Sequence, residues 1–321
     1  MKKFMKALVT CTLSVILLIG CTKPESPLDI PVGNTPAISD EQPHNVSSED
    51  PSNQPTTLRI ATFNIEAKAH PDIEAIRTMI TEHDIEIFGL QEVDQFTQRN
   101  PVDTPAEFTK TPYDYNYYSI HFEFNGGNYG LATISQYPFL TEDTTRLYSG
   151  EYRGEELLSQ LLSAYKNYDQ TDEASVEILD AVFENDPIET RVIQRVTIEK
   201  DGKEIAIYNV HLNHEDKDLR KLQLDFLVET MNNDPCEYKI VLGDFNTDQS
   251  IEEWDGFLSN GYLLSNGKDG KWIETCDLDP DMVIGCIDNI VVSPNIEIKE
   301  VTTLQTDLSD HNPIFALLEF K

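Results

Sequence analysis

Nine polar residues in this chain stand where a strand would end: Asn64, Glu66, Glu92, His211, Asp244, Asn246, Asp288, Asp310 and His311. Carboxylates and amides are hard oxygen donors for a small divalent cation, and imidazole exchanges its proton near neutral pH. A strand end lets a rigid sheet hold such a side chain still while leaving it open to solvent, and several strands can converge on one ligand. Taken singly, an Asn or Asp after a strand is turn chemistry, its side chain bonding its own backbone. Taken together, the nine have the means to hold a hard metal ion and to move a proton.

The elements that must position them are legible from periodicity. Leu58 to Ile65 is apolar enough for a buried strand, and Pro71 to His83 places Ile73, Ile76, Met79 and Ile80 at helical spacing. A second strand, Ile85 to Gln91, delivers Glu92 at its end. Tyr115 to Phe122 and Tyr129 to Gln136 read as a strand pair joined at Asn125-Gly126-Gly127-Asn128. Strand signals resume at Arg191 to Glu199 and Ile205 to Leu212 around the Asp201-Gly202 turn. Lys217 to Asn232 then reads as a helix, followed by the strand Lys239 to Leu242 and the polar turn Gly243 to Asp248. The tail places strands at Met282 to Val292, Ile296 to Thr303 and Ile314 to Phe320. Strand pairs with helices between them give an α+β chain of two packed sheets with helices outside. Between Tyr148 and Pro187, two acidic segments with apolar helical faces predict an inserted helical hairpin.

Ahead of this domain, Lys2, Lys3 and Lys6 precede an apolar run from Ala7 to Gly20, too short to span a bilayer comfortably. Leu18-Ile19-Gly20-Cys21 resembles a bacterial lipobox, which predicts a signal peptide over residues 1–20 and lipidation of Cys21 at the extracytoplasmic face of the cell envelope. Residues 21–57 are rich in Pro, Ser, Asn, Asp and Glu and read as a disordered tether. The whole chain carries a formal charge of -33, and loss of three lysines with the signal makes it more negative still. Such a surface repels nucleic acid and anionic lipid at long range. Beyond Cys11 and Cys21 only Cys236, Cys276 and Cys286 remain, an odd set that argues against a disulfide framework. Cys276 and Cys286 are spaced either to pair across a local loop or to stand as buried thiols.

Six motifs carry a resemblance to a known family: Thr62-Phe63-Asn64, Gly89-Leu90-Gln91-Glu92, Asn209-Val210-His211-Leu212, Gly243-Asp244-Phe245-Asn246, Ile287-Asp288-Asn289-Ile290 and Ser309-Asp310-His311-Asn312-Pro313. In this order they resemble the endonuclease/exonuclease/phosphatase superfamily, from about Leu58 to Phe320. The resemblance implies a four-layer α/β/β/α sandwich of the DNase I type, over residues 58–321. It implies Mg²⁺ or Mn²⁺ held chiefly by Glu92, assisted by Asn64 and by Glu66 and Asp310. It makes Asp244 and Asn246 the pair that orients or deprotonates water, His311 the phosphate-facing histidine held by Asp288, and His211 the general acid. Arg191 stands where many relatives carry an arginine, as a weaker candidate for substrate phosphate, while Arg220 reads as a salt-bridge residue in so acidic a chain. Gln136 departs from the basic residue common in relatives.

The expected function is metal-dependent hydrolysis of a phosphomonoester or phosphodiester at the cell surface by in-line attack of water. The alternatives are a surface nuclease acting on DNA or RNA, a sphingomyelinase-like phosphodiesterase, and an inactive binding module. Charge disfavours the nuclease, the lack of a long exposed aromatic hairpin disfavours the sphingomyelinase, and the filled polar positions disfavour the inactive module. No protein partner is inferable.

Overall fold

The computed structural model describes residues 55–68, 70–149, 174, 189–214, 216–247, 251–276 and 285–321. The expected signal segment, Cys21 and the tether up to residue 54 lie outside the described residues. So does the expected helical hairpin, apart from Tyr148, Ser149 and Ala174.

In chain order the elements are β1 (Thr57–Asn64), α1 (Ile73–Glu82), β2 (Ile87–Gln95), α2 (Thr104–Phe108), β3 (Tyr115–Phe124), β4 (Gly127–Ser135) and β5 (Thr141–Arg146). Then follow β6 (Val192–Lys200), β7 (Lys203–His211), α3 (Lys217–Asn233), β8 (Tyr238–Asp244), α4 (Ile251–Ser259), β9 (Leu263–Leu264), β10 (Asp288–Val292), β11 (Ile296–Thr303) and β12 (Ile314–Phe320). Two six-stranded sheets result, ordered β11-β12-β1-β2-β4-β3 and β5-β6-β7-β8-β10-β9. Both are mixed: β1 runs parallel to β2 and β7 parallel to β8, while the other pairs are antiparallel.

Strands buried on both faces explain why β1 and β7 read as nearly continuous apolar runs. Leu58 and Ile60 of β1 point inward and meet Ile207, Ile240, Leu242 and Ile290 of the opposite sheet. Alternate residues Phe63 and Ile65 point outward and pack under Ile76 and Ile80 of α1. On the far side, Tyr208, Val210 and Val241 pack under Leu224 and Leu227 of α3 and Trp254 and Phe257 of α4. Three apolar layers between four structural layers make the expected α/β/β/α sandwich.

Local chemistry fixes the ends. Asp72 caps α1 by accepting from Ala75 N at 3.0 Å, and Asp216 caps α3 by accepting from the amides of Asp218 and Leu219. Asn125-Gly126 and Asp201-Gly202 both take positive φ at each residue, the geometry that two-residue hairpins require.

The structure corrects several sequence readings. β2 does not stop at Gln91; it continues to Gln95 through a bulge, because its later residues still pair with β4. The strand expected from Met282 begins at Asp288. Four elements were not expected: α2, α4, β5 and β9. β5, with the sequence TEDTTR, is exposed throughout and lacks any apolar alternation; backbone pairing with β6 defines it. Cys236, Cys276 and Cys286 are buried and form no disulfide. No helix among the described residues is long and apolar enough to cross a membrane.

Candidate active site

Period-two alternation carries the inward faces of the strands from an apolar half into a polar half. In β1 the inward series Leu58 and Ile60 continues as Thr62 and Asn64; in β7, Ile205 and Ile207 continue as Asn209 and His211; in β8, Ile240 and Leu242 continue as Asp244. β10 runs the other way, so its first residue, Asp288, lies opposite Asp244 in register. His211 pairs with Asp244 on the other side. β12 is antiparallel to β1, so His311, just ahead of it, returns to the same end.

A buried polar layer separates this end from the core. Gln91 Nε2 donates to Asn209 Oδ1 at 2.7 Å, Asn209 Nδ2 donates to the carbonyls of Leu90 and Ala132, and Thr133 Oγ1 donates to Gln194 Oε1 at 2.6 Å. Every group here has a partner across the two sheets, which fixes their relative placement. Gly89 leaves room for the crossing, since a Cβ there would lie 2.1 Å from Leu242 Cδ1 and 2.9 Å from Asn209 Cγ.

Above this layer the side chains interlock. His311 Nδ1 lies 2.8 Å from Asp288 Oδ2, which fixes the ring so that Nε2 faces Asp244 Oδ2 at 3.8 Å and Cys276 Sγ at 3.6 Å. His211 Nε2 approaches the same Asp244 oxygen at 3.5 Å. Asn64 Nδ2 donates both to Asp244 Oδ2 at 3.1 Å and to Glu92 Oε1 at 3.0 Å, linking the two carboxylates. Glu92 reaches this position because of the bulge in β2. The register against β4 slips between Leu90 and Val93, and Glu92 takes φ 60°, which turns its carboxylate from the outer face toward Asn64.

The remaining expected residues take these places. Asn246 has φ 50°, donates its backbone N–H to Asp244 Oδ1 at 2.9 Å and its amide to Leu212 O at 2.9 Å. It therefore turns away from the extended geometry expected at that strand end and secures the Asp244 carboxylate through the backbone. Glu66 donates its backbone N–H to Asn64 Oδ1, while its carboxylate pairs with Lys68 at 3.0 Å. Asp310 sits beside His311, accepting from Ser309 Oγ at 3.3 Å. Arg191 is buried, its Nη2 on Glu189 at 2.6 Å. Arg220 pairs with Glu253 at 2.8 Å, and Gln136 donates to Ile85 O at 3.0 Å, so both have structural roles. Cys276 had no sequence signal as a site residue; an isolated bridge between its backbone and that of His311 brings it there.

Electrostatics separate the two histidines. Burial works against charge on His311, yet the Asp288 carboxylate beside it outweighs that and holds the imidazole well above its ordinary value. Burial, reinforced by the Arg191 charge, drives His211 well below the ordinary value, so it stands neutral. Burial also pushes the Asp244 carboxyl up to about 7, with the Asp288 charge acting in the same direction.

This donor set fits a hard divalent cation. Asp244, Asp288 and His311 offer ligand atoms within 4.8 Å of one another, and Asp288 Oδ1 is buried without a hydrogen-bond partner. Glu92 uses one lone pair on each oxygen, accepting from Asn64 and from Ala67 N at 3.0 Å, and keeps others open.

The endonuclease/exonuclease/phosphatase family model matches residues 61–311. The chain belongs to the endonuclease/exonuclease/phosphatase family. As a member it falls within a group of phosphoester hydrolases, phosphatases and nucleases alike. The fold agrees with solved structures. A family member from Bacteroides vulgatus superposes with TM-score 0.59 at 18% identity, covering 83% of this chain and 100% of that one. The mannosyl-6-phosphatase Bt3783 of Bacteroides thetaiotaomicron VPI-5482 gives TM-score 0.53 at 18% identity, over 82% and 100%. The human Nocturnin catalytic domain with bound sulfate gives 0.58 at 16%, over 83% and 95%. No curated protein sequence matches the chain.

Proposed function

We propose that this family member is a divalent-metal-dependent phosphoesterase that hydrolyses a phosphomonoester or phosphodiester at the cell surface, with Mg²⁺ or Mn²⁺ as its cation. The observation that carries this reading is the Asp288–His311 pair, with the free edge of the imidazole turned to Asp244 at 3.8 Å. That arrangement gives one charged imidazole and one carboxylate of raised proton affinity at a single point.

Water attacks phosphorus in line with the ester bond, forming a new P–O bond as the ester P–O bond breaks. Asp244, steadied by Asn64 and by the Asn246 amide, takes the proton of the attacking water. His311, charged, donates to the phosphate oxygens as negative charge grows on them. His211, neutral, donates a hydrogen bond from Nε2 to the departing ester oxygen, and the proton that this oxygen gains comes from the charged His311. A divalent cation held by Glu92, with Asn64 and the Asp244 group beside it, supplies further positive charge to the phosphate oxygens when bound.

The formal charge of -33 favours a small phosphoester over nucleic acid as substrate. The lipobox-like Leu18-Ile19-Gly20-Cys21 favours action outside the cytoplasm, anchored to the membrane; Cys21→Ser is expected to move the protein from the membrane to the soluble fraction.

The experiment compares hydrolysis of p-nitrophenyl phosphate, bis-p-nitrophenyl phosphate and plasmid DNA, with Mg²⁺ or with chelator, beside His311→Ala. Chelator-sensitive turnover of a small ester, lost in the variant, is expected. Preference for plasmid DNA would replace this reading by the nuclease, and turnover that persists in chelator would sink the metal-dependent mechanism.

A further inference from the structure

Five buried side-chain nitrogens without hydrogen-bond partners gather on three residues: Nδ1 and Nε2 of His121, Nε and Nη1 of Arg191, and Nδ1 of His211. A buried polar nitrogen left unpaired is costly, and an unpaired guanidinium edge more so. Such groups are rare unless something in the working protein pairs with them.

Their placement is a feature of the backbone. His121 is the extra residue of a bulge in β3, where the register against β4 passes from Ile120 to Phe122. That bulge stands across β4 from the one in β2 that aims Glu92, and both slips meet at Gly130. Bulges re-aim side chains beside active sites. Here the result is a histidine with no exposed surface, its ring centroid 6.1 Å from that of His211. The cluster is no more deeply enclosed than the hydrolytic centre, where Asp244 and Asp288 are each 1% exposed.

Two arginine charges, those of Arg191 and Arg146, bear on the cluster within a very acidic chain. Burial, together with the Arg191 and Arg146 charges, drives His121 well below its ordinary value. Among the described residues Arg191 pairs with the acid Glu189, and it also meets His214 Nδ1 at 3.3 Å, a ring driven down to about 3 by burial and by Arg191 itself.

We infer that His121 and Arg191, beside His211, form an anion subsite that takes a second phosphoryl group of the substrate, beside the phosphate being hydrolysed. This rests on the phosphoesterase reading above. It narrows the substrate class to organic phosphates bearing two phosphoryl groups close together. The Arg191 guanidinium and the one N–H of neutral His121 would then donate to phosphate oxygens.

Two measurements on the full chain test this. In the first, chelator-treated protein is titrated with sodium sulfate at constant ionic strength while the imidazole resonances of His121 and His211 are followed by NMR. Saturable shifts are expected without any metal, weakened about tenfold or more in Arg191→Met, the loss typical of a charge-assisted hydrogen bond. No saturable shift in the wild type, or an equal one in a folded Arg191→Met, would overturn the subsite. In the second, a hexose bisphosphate is compared with its monophosphate in Mg²⁺. KM is expected to be about tenfold lower for the bisphosphate, and the ratio to fall toward one in His121→Phe, a variant that also serves if Arg191→Met does not fold. Equal KM values in the wild type would overturn the substrate assignment. If chelator leaves turnover intact, the metal-dependent reading fails while the sulfate titration still decides the subsite.

Discussion

Asp288, the first residue of β10 in one sheet, meets His311, in the loop that leads into β12 of the other, at 2.8 Å, so the histidine that faces the reacting centre is held from across the two sheets. Asp288→Asn keeps the shape and removes the charge that holds the imidazole above its ordinary value. A raised value means that His311 is protonated, and active in this role, up to a higher pH than a free histidine. The variant is therefore expected to lose about a hundredfold in kcat/KM. Its alkaline limb should move to lower pH, read from a pH–rate profile.

Metal binding should depend on pH through Asp244. Its carboxyl, raised to about 7, is protonated below that pH and must ionise to meet a cation. Mn²⁺ affinity is expected to rise about tenfold per pH unit below 7 and to level off above it. Calorimetry across pH 5.5–8.5, about one proton being released per ion at the acidic end, checks this.

Glu92→Gln keeps the bulge and the hydrogen bonds in outline but removes the negative charge. Activity is expected to fall about a hundredfold or more, with Mn²⁺ affinity reduced in parallel and the unfolding midpoint little changed. Unaltered metal affinity would take Glu92 out of the cation site.

Away from the site, Asp234 receives Arg195 Nε at 2.6 Å, the Tyr208 hydroxyl and the Cys236 amide. Burial raises its proton affinity, but these donors outweigh that, and the net shift is downward from 3.8. The sign follows: the stabilisation is full above the unfolded value and disappears as pH falls through the lower folded one. Asp234→Asn should cost about 2 kcal/mol at neutral pH, with the gap to wild type closing in urea melts carried below pH 4.

Gly89→Ala would drive a methyl group into Leu242 and Asn209 at the crossing of the two sheets. Overpacking of this kind costs about 1–3 kcal/mol. A matching fall in the denaturant midpoint is expected, together with reduced activity, because Asn209 supports the layer beneath the site.

The sequence by itself determined the alternation that builds both sheets. β1 and β7 carry it unbroken into Asn64 and His211, so the polar ends of the strands were readable as a site. Hairpins at Asn125-Gly126 and Asp201-Gly202 were equally legible, since their positive φ leaves few residue choices. What only the tertiary structure decided is where pairing departs from strict period two. Glu92 and His121 both sit at bulges, and a bulge is set by the neighbouring strand's register, of which the bulged strand's own residues give no sign. For the same reason β5, polar at every position, is a strand through backbone pairing with β6 and the bonds of Thr144 to Tyr117 and Ser119 of the other sheet. Cys276 reaches His311 across 35 residues of chain, a contact fixed by how two segments cross and by nothing periodic in either.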